Sequence, residues 1–348
     1  MKVGTAALGG VSGVMPSAAP VGLETVWPRR FEPADLKALL GDAADETVCD
    51  ALGRGVNAPL WHLADRGGRK WRPVVCQLAF LVSGGSPPVP EPICQVAELL
   101  HTGSLIVDDI QDGATKRRGG PVAHAVYGVP AALNAANTAY FRALERLRVA
   151  LPSGPRLRAL DMLAEELFAA HLGQGLDLAL GSDPRERALT SGHYLLLARA
   201  KTGALVRIAA RLGAIAAGAD APIEAALAEW ASEVGVAYQI RNDVADLANG
   251  MLDVAGGRPT YPLLLVLERD DRAATTLRRH LGRGLLSRSE HRRLRTLFVR
   301  ERLAERAGAE AERAAARALA ALRSLPQVEA RARLERMTAD LAGDATHA

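Results

Sequence analysis

The chain has 348 residues, 49% of them hydrophobic and only 4% aromatic, so its core must be built from alanine, leucine and valine. Such a core suits close helix packing and argues against a β-sandwich. The net charge of +4, with 24% charged residues, fits an anionic substrate or a membrane surface but selects neither, since solvated arginine-rich helices explain it equally well.

Residues 1–30 are rich in Gly, Pro and Ala and read as a disordered leader, leaving residues 31–348 as a single domain. From Pro33 on, helical spacing dominates. A helix is expected from Ala34 to Leu52, and another opens at Pro73 after a glycine-rich turn and runs to Leu81. A long amphipathic helix follows from Pro92 to about Asp112, with Val96, Leu99, Leu100 and Ser104 at helical spacing. The stretch Pro152–Pro155 reads as a loop. Further helices are expected over Leu157–Leu180, Thr190–Gly218, Pro222–Leu247, Tyr261–Leu281 and Ser287–Leu325, with a short one after Pro326. There is no β-alternation of useful length and no fixed-period repeat. The Ala/Arg-rich stretch Glu301–Arg323 keeps helical spacing and reads as a packed outer helix with a solvated basic face. Its basic residues are not interleaved with aromatics, which argues against nucleic acid as a partner. Cys49, Cys76 and Cys94 are odd in number and scattered, which argues against a disulfide framework and points to a reducing cytoplasm. No apolar run reaches the roughly 18 residues that span a bilayer.

The chemistry concentrates at two helix ends. The first is Asp108-Asp109-Ile110-Gln111-Asp112, followed by Lys116-Arg117-Arg118-Gly119. Asp108 and Asp112 lie one turn apart on one helix face, with Asp109 beside them. Like charges at that spacing cost a helix about 0.2–0.5 kcal/mol per pair, and the macrodipole disfavours anions at a C-terminal end. A bound cation would offset both costs. All-oxygen donors suit Mg²⁺, and the arginines just downstream offer planar forks for phosphate oxygens. A solvated acidic helix end with a basic loop behind it is the bland alternative. The second end, Tyr238-Gln239-Ile240-Arg241-Asn242-Asp243-Val244-Ala245-Asp246, sets Asn242, Asp243 and Asp246 on neighbouring positions. Two such ends facing each other across a cavity could hold several Mg²⁺ ions on one diphosphate.

Taken together these segments resemble the trans-isoprenyl diphosphate synthase (polyprenyl synthetase) family. Gly67-Gly68-Arg69-Lys70-Trp71-Arg72-Pro73 is similar to its isopentenyl-diphosphate motif, and Glu98 through Gly119 and Pro121 to its first aspartate-rich region. Gly173-Gln174 with Asp177, Lys201-Thr202-Gly203-Ala204-Leu205, and Arg258, Thr260 and Pro262 resemble three further segments, in the family's order. The resemblance implies an all-α isoprenoid-synthase-type helical bundle around a deep central cavity, and a homodimer. It implies that Asp108, Asp109 and Asp112, with Asn242, Asp243 and Asp246 opposite, bind Mg²⁺. Asp108, Asp109 and Lys201 would be catalytic. Arg117, Lys201, Thr202, Gln239 and Arg258 would hold the allylic diphosphate, and Arg69, Arg72, His101 and Arg118 the isopentenyl diphosphate. Three features depart from the family pattern: Arg69 stands for a lysine, Asn242 for an aspartate, and the segment from Leu247 to Gly257 is short and lacks a lysine.

The implied activity is condensation of isopentenyl diphosphate with an allylic diphosphate. An Asn-led second motif also resembles terpene cyclases on the same fold, but Arg69, Arg72, His101 and Arg118 have no use in a cyclase. A non-catalytic subunit of a heteromeric synthase is the other alternative; it should have a degraded first aspartate motif, and here that motif is intact. In the family a bulky aromatic four or five residues before the first aspartate floors the product pocket. Here those positions are Ser104 and Gly103, with Leu100 one turn deeper, so the expected product is geranylgeranyl diphosphate or longer.

Overall fold

In the computed structural model, residues 23–181, 189–249 and 251–343 are described. The helices are α1 (Pro33–Leu40), α2 (Glu46–Leu52), α3 (Ala58–Ala64), α4 (Trp71–Val82) and α5 (Glu91–Gln111). A two-residue hairpin, β1 (Lys116–Arg117) and β2 (Gly120–Pro121), leads to α6 (Ala123–Tyr127), α7 (Val129–Ala150) and α8 (Ser153–Gly181). Then come α9 (Ser191–Ala198), α10 (Ala204–Ala216), α11 (Ala221–Asn249), α12 (Leu252–Gly256) and α13 (Tyr261–Leu267). The chain closes with α14 (Arg272–Arg278), α15 (Arg288–Arg300), α16 (Leu303–Leu322) and α17 (Glu329–Gly343). The all-helical expectation holds. Apart from the hairpin, the described residues contain no strand.

Two cores organise the bundle. The larger lies among α3, α4, α5, α7, α10 and the first half of α11, around Leu60, Leu78, Leu99, Leu100, Ile208, Leu212 and Trp230. The smaller joins the second half of α11 to α13, α14, α15 and α16 through Val236, Ile240, Leu263, Leu277 and Leu294. α5 and α11 run through this bundle and bring Asp108, Asp112 and Asn242 to one cavity.

Several expectations need correcting. The leader does not extend over 23–30, because Leu23–Thr25 form a short 3₁₀ turn and Val26 and Trp27 are buried in the larger core. Residues 1–22 lie outside the described residues. α3 forms although Gly53, Gly55 and Pro59 punctuate its approach. A wide π turn over Gly53–Asn57 absorbs the glycines and carries the helical backbone into α3, whose first turn holds Pro59. α7 has no counterpart in the expected elements. Its buried stripe is Ala132, Ala135, Ala136, Ala139, Ala143 and Leu147, so a search for large apolar side chains passes over it. α8 begins at Ser153, and Pro155 lies inside its first turn instead of in a loop. The run expected over Tyr261–Leu281 breaks before Asp271, whose carboxylate caps α14 by accepting from the Ala274 N–H at 2.9 Å. The run over Ser287–Leu325 breaks at Arg302, which adopts a left-handed conformation with φ of 54°.

Candidate active site

α5 supplies one wall of a cavity of about 520 Å³, and its last two turns carry Asp108 and Asp109, with Asp112 as the C-terminal cap. Leu100, His101, Ser104, Asp108 and Asp112 line the cavity. Each carboxylate of this end meets a different cation. Asp108 lies 3.5 Å from the Lys201 ammonium, which also bonds Asp177 at 2.8 Å. Asp109, only 2% exposed, accepts from Arg117 Nε at 2.6 Å. Asp112 pairs with Arg258 at 2.9 Å. Burial pushes the Asp108 carboxyl above its ordinary value against the pull of Lys201, and burial does the same to Asp109 against Arg117. On Lys201 burial works against the charge, but Asp108 and Asp177 outweigh it and hold the ammonium above its ordinary pKa. The first acidic end is thus a partly dehydrated set of hard oxygen donors whose charge is already balanced by three flexible cations. Such donors fit a divalent hard cation, and the paired side chains can release them to it.

The basic end is built around Gly68. Its φ of +119° is a backbone conformation that L side chains rarely adopt, and a Cβ there would lie 2.6 Å from the Arg118 guanidinium. Glycine therefore lets Arg118 fold back to donate to the Gly67 carbonyl. Lys70, in a left-handed conformation, turns the chain into α4 and sends Arg69 over the Tyr238 ring and Arg72 beside Trp71. Arg72 is buried, and among the described residues its Nε has no hydrogen-bond partner; the same holds for Glu98 Oε2 and His101 Nδ1. Burial, reinforced by Arg72 and Arg118, pushes the His101 imidazole well below its ordinary pKa, so it is neutral near pH 7. Burial likewise lowers Arg72 and Arg118. A dehydrated guanidinium with an unused donor is a strong attractor for an oxyanion.

The opposite wall comes from the π turn Arg199–Gly203 and from α11. Thr202 Oγ donates to Gln239 Oε1 at 2.9 Å, and Gln239 Nε2 donates to Asp243 at 3.1 Å. Asp243 does not line the cavity. It is 4% exposed, accepts also from the Tyr194 hydroxyl and from the Tyr261 N–H at 3.2 Å, and is pushed up to about 7 by burial despite these donors. Asp246 also stands back from the cavity and accepts from the Asp253 N–H at 3.2 Å. Asn242 is the member of this trio that faces the cavity, with Lys201, Thr202, Gln239 and Arg258. Gly103 does not face it either. A Cβ there would meet the Ala136 carbonyl on α7 at 3.1 Å, so this glycine permits close approach of α5 and α7.

The sequence reading missed part of the cavity wall: Tyr140 from α7 and Leu167, Ala170 and His171 from α8. Tyr140 and His171 meet edge to face at 5.9 Å. The alanine stripe of α7 gives no signal to a search for large apolar side chains, and on α8 the signal was Gly173-Gln174 with Asp177, two residues beyond His171.

A family model described as Polyprenyl synthetase matches residues 54–297, more than half of the chain, and the chain belongs to that family. It is accordingly a prenyltransferase of isoprenoid synthesis. It is 32% identical over 219 residues to the geranylgeranyl pyrophosphate synthase of Eremothecium gossypii, covering 59% of this chain and 67% of that one. Among solved structures it is similar to the geranylgeranyl pyrophosphate synthetase of Pyrococcus horikoshii, with a TM-score of 0.77, 27% identity, and coverage of 84% and 90%. It is also similar to a Caulobacter crescentus polyprenyl synthase complexed with calcium and isoprenyl diphosphate, with a TM-score of 0.75, 27% identity, and coverage of 83% and 89%. No helix among the described residues is long and apolar enough to cross a membrane.

Proposed function

We propose that this chain condenses isopentenyl diphosphate with an allylic diphosphate to give a trans-prenyl diphosphate of geranylgeranyl length or longer. The observation that carries the reading is the facing of two unlike anion sites across one cavity. Lys201, Arg117 and Arg258 stand with the carboxylates on one side, and buried Arg72 and half-buried Arg118 with Arg69 and neutral His101 on the other. Asp108, Asp109, Asp112 and Asn242 would hold Mg²⁺, which supplies Lewis-acid neutralisation of the leaving diphosphate when bound. Asp243 and Asp246 would act from behind Asn242, with Asp243 orienting Gln239.

Lys201 and Arg117 stabilise the charge that develops as the allylic C–O bond breaks and its electron pair passes to the diphosphate. Thr202 and Gln239 orient that group. Arg69, Arg72, His101 and Arg118 hold isopentenyl diphosphate so that its alkene attacks the allylic carbon. The released diphosphate then removes the proton. Leu100, Leu105, Leu167 and Tyr140 keep water from the cation.

The reading extends to a homodimer in a reducing cytoplasm and to a single domain that takes in residues 23–30 as well as 31–348. In support, Leu157, Phe168 and Leu172 form an exposed apolar stripe along α8, and the three cysteines are free and buried. Incubation of purified protein with Mg²⁺ and each allylic diphosphate, with and without isopentenyl diphosphate, tests it by product mass. Elongated diphosphates formed only with isopentenyl diphosphate are expected. A cyclic hydrocarbon formed without it would favour the cyclase that Asn242 suggests.

A further inference from the structure

Positive charge is unevenly distributed along the chain. Between Arg278 and Arg302 there are nine arginines and two carboxylates, Glu290 and Glu301, so the rest of the chain is net −3. α15 turns Leu294, Leu297 and Phe298 into the smaller core. Its opposite face, at i, i+4, i+7 and i+11, is Arg288, Arg292, Arg295 and Val299, all exposed. Arg300 and Arg302 are paired with Glu301 and Glu305. Arg283, Arg288, Arg292 and Arg295 form no ion pair among the described residues.

The turn that leads into α15 carries a second, independent feature. Leu285 is 97% exposed at its tip, and Val299 is 72% exposed at the far end of the arginine face. Neither side chain contributes to a core. The same turn is fastened to the cavity mouth: Gly282 N–H donates to the Val254 carbonyl at 2.9 Å, and Gly284 N–H to the Ala255 carbonyl at 3.0 Å. Val254 and Ala255 belong to α12, which leads directly to Arg258 and its pair with Asp112.

We propose that the turn Gly282–Leu286 and the exposed face of α15 dock on an anionic lipid surface, seating the Arg258 lip of the cavity beside the bilayer. Unpaired guanidiniums on an exposed face draw in a negatively charged surface. A bare leucine among them gains by entering the acyl boundary and contributes nothing in water. Nucleic acid fits less well, because the patch presents no exposed aromatic ring for bases; Phe298 is buried. The proposal stands on charge and geometry and not on the prenyl-transfer reading, which adds only that a product with a long apolar tail would leave into lipid.

The test is co-sedimentation of the full chain, without substrate, with phosphatidylcholine vesicles and with vesicles also containing phosphatidylglycerol, at low and high salt. Binding is expected to the anionic vesicles only, and to fall steeply with salt. Arg288→Gln/Arg292→Gln/Arg295→Gln should weaken partitioning by about tenfold or more. Leu285→Ser should weaken it severalfold, and prenyl transfer in vesicle-free solution should be unchanged in both variants. Absence of binding by the wild type overturns the proposal, as does equal binding by the triple variant or displacement by a short DNA duplex that binds more tightly than the vesicles. A wild type that binds in this way and forms no prenyl product supports the docking and overturns the prenyl-transfer reading instead.

Discussion

Asp108 and Asp109 are neighbours in sequence and occupy different environments. Asp108 faces the cavity, while Asp109 is buried against Arg117. Alanine at either position should reduce turnover by orders of magnitude, but stability should separate the two. Asp108→Ala removes a carboxylate that burial and Asp112 already disfavour, so its melting temperature should match the wild type or exceed it. Asp109→Ala removes the hydrogen-bonded pair with Arg117 and should cost about 1.5 kcal/mol, measurable by urea denaturation. Equal stability of the two variants would show that the Asp109–Arg117 pair carries no structural weight. Asp243 supports a prediction about pH. Its folded pKa of about 7 lies above the ordinary aspartate value, so the folded chain holds a proton that the unfolded chain has lost. That contribution to stability is complete below about pH 4 and declines as pH rises through about 7. In metal-free buffer, Asp243→Asn should therefore lose less stability than the wild type between pH 5 and pH 8. Parallel curves would rule this out.

The α5–α7 contact decides what the small residues before Asp108 mean. Because Gly103 faces the Ala136 carbonyl and Tyr140, a phenylalanine there has no cavity to enter. Gly103→Phe should disrupt packing and yield little soluble protein, instead of a folded enzyme with a shorter product. On the proposed reading, chain length would then be set at Tyr140 and His171, where α7 and α8 line the cavity. Tyr140→Ala should remain folded and release products longer by at least one isoprene unit. An unchanged product distribution from that variant would move the floor to another wall. The alanine stripe that hides α7 from a hydrophobicity search is also what lets it approach α5 closely enough to bring Tyr140 to the cavity.

At the scale of the molecule, α8 carries exposed apolar side chains that no element among the described residues covers. Phe168 is 67% exposed, with Leu157 and Leu172 on the same face. Burying such a stripe against a second copy is the simplest use for it. Sedimentation should show two copies per particle, and Phe168→Glu/Leu172→Glu should shift it to one. A wild-type monomer would remove the dimer from the proposal.

The sequence by itself determined the helical class, the polarity of the elements and the two acidic ends. Helical periodicity, proline starts and clustered charges are local properties, written within a few turns of chain. From the order of its motifs it also determined the family. Only the tertiary structure decided which member of each motif meets the cavity. Asn242 lines it while Asp243 turns inward to Tyr194 and Tyr261, because those partners arrive from α9 and α13, far away in sequence. For the same reason Gly103 proved to be a packing position and Tyr140 a wall. A side chain's direction on a helix follows from periodicity, but what lies in that direction depends on which neighbouring helix packs there, and that is a long-range property of the fold.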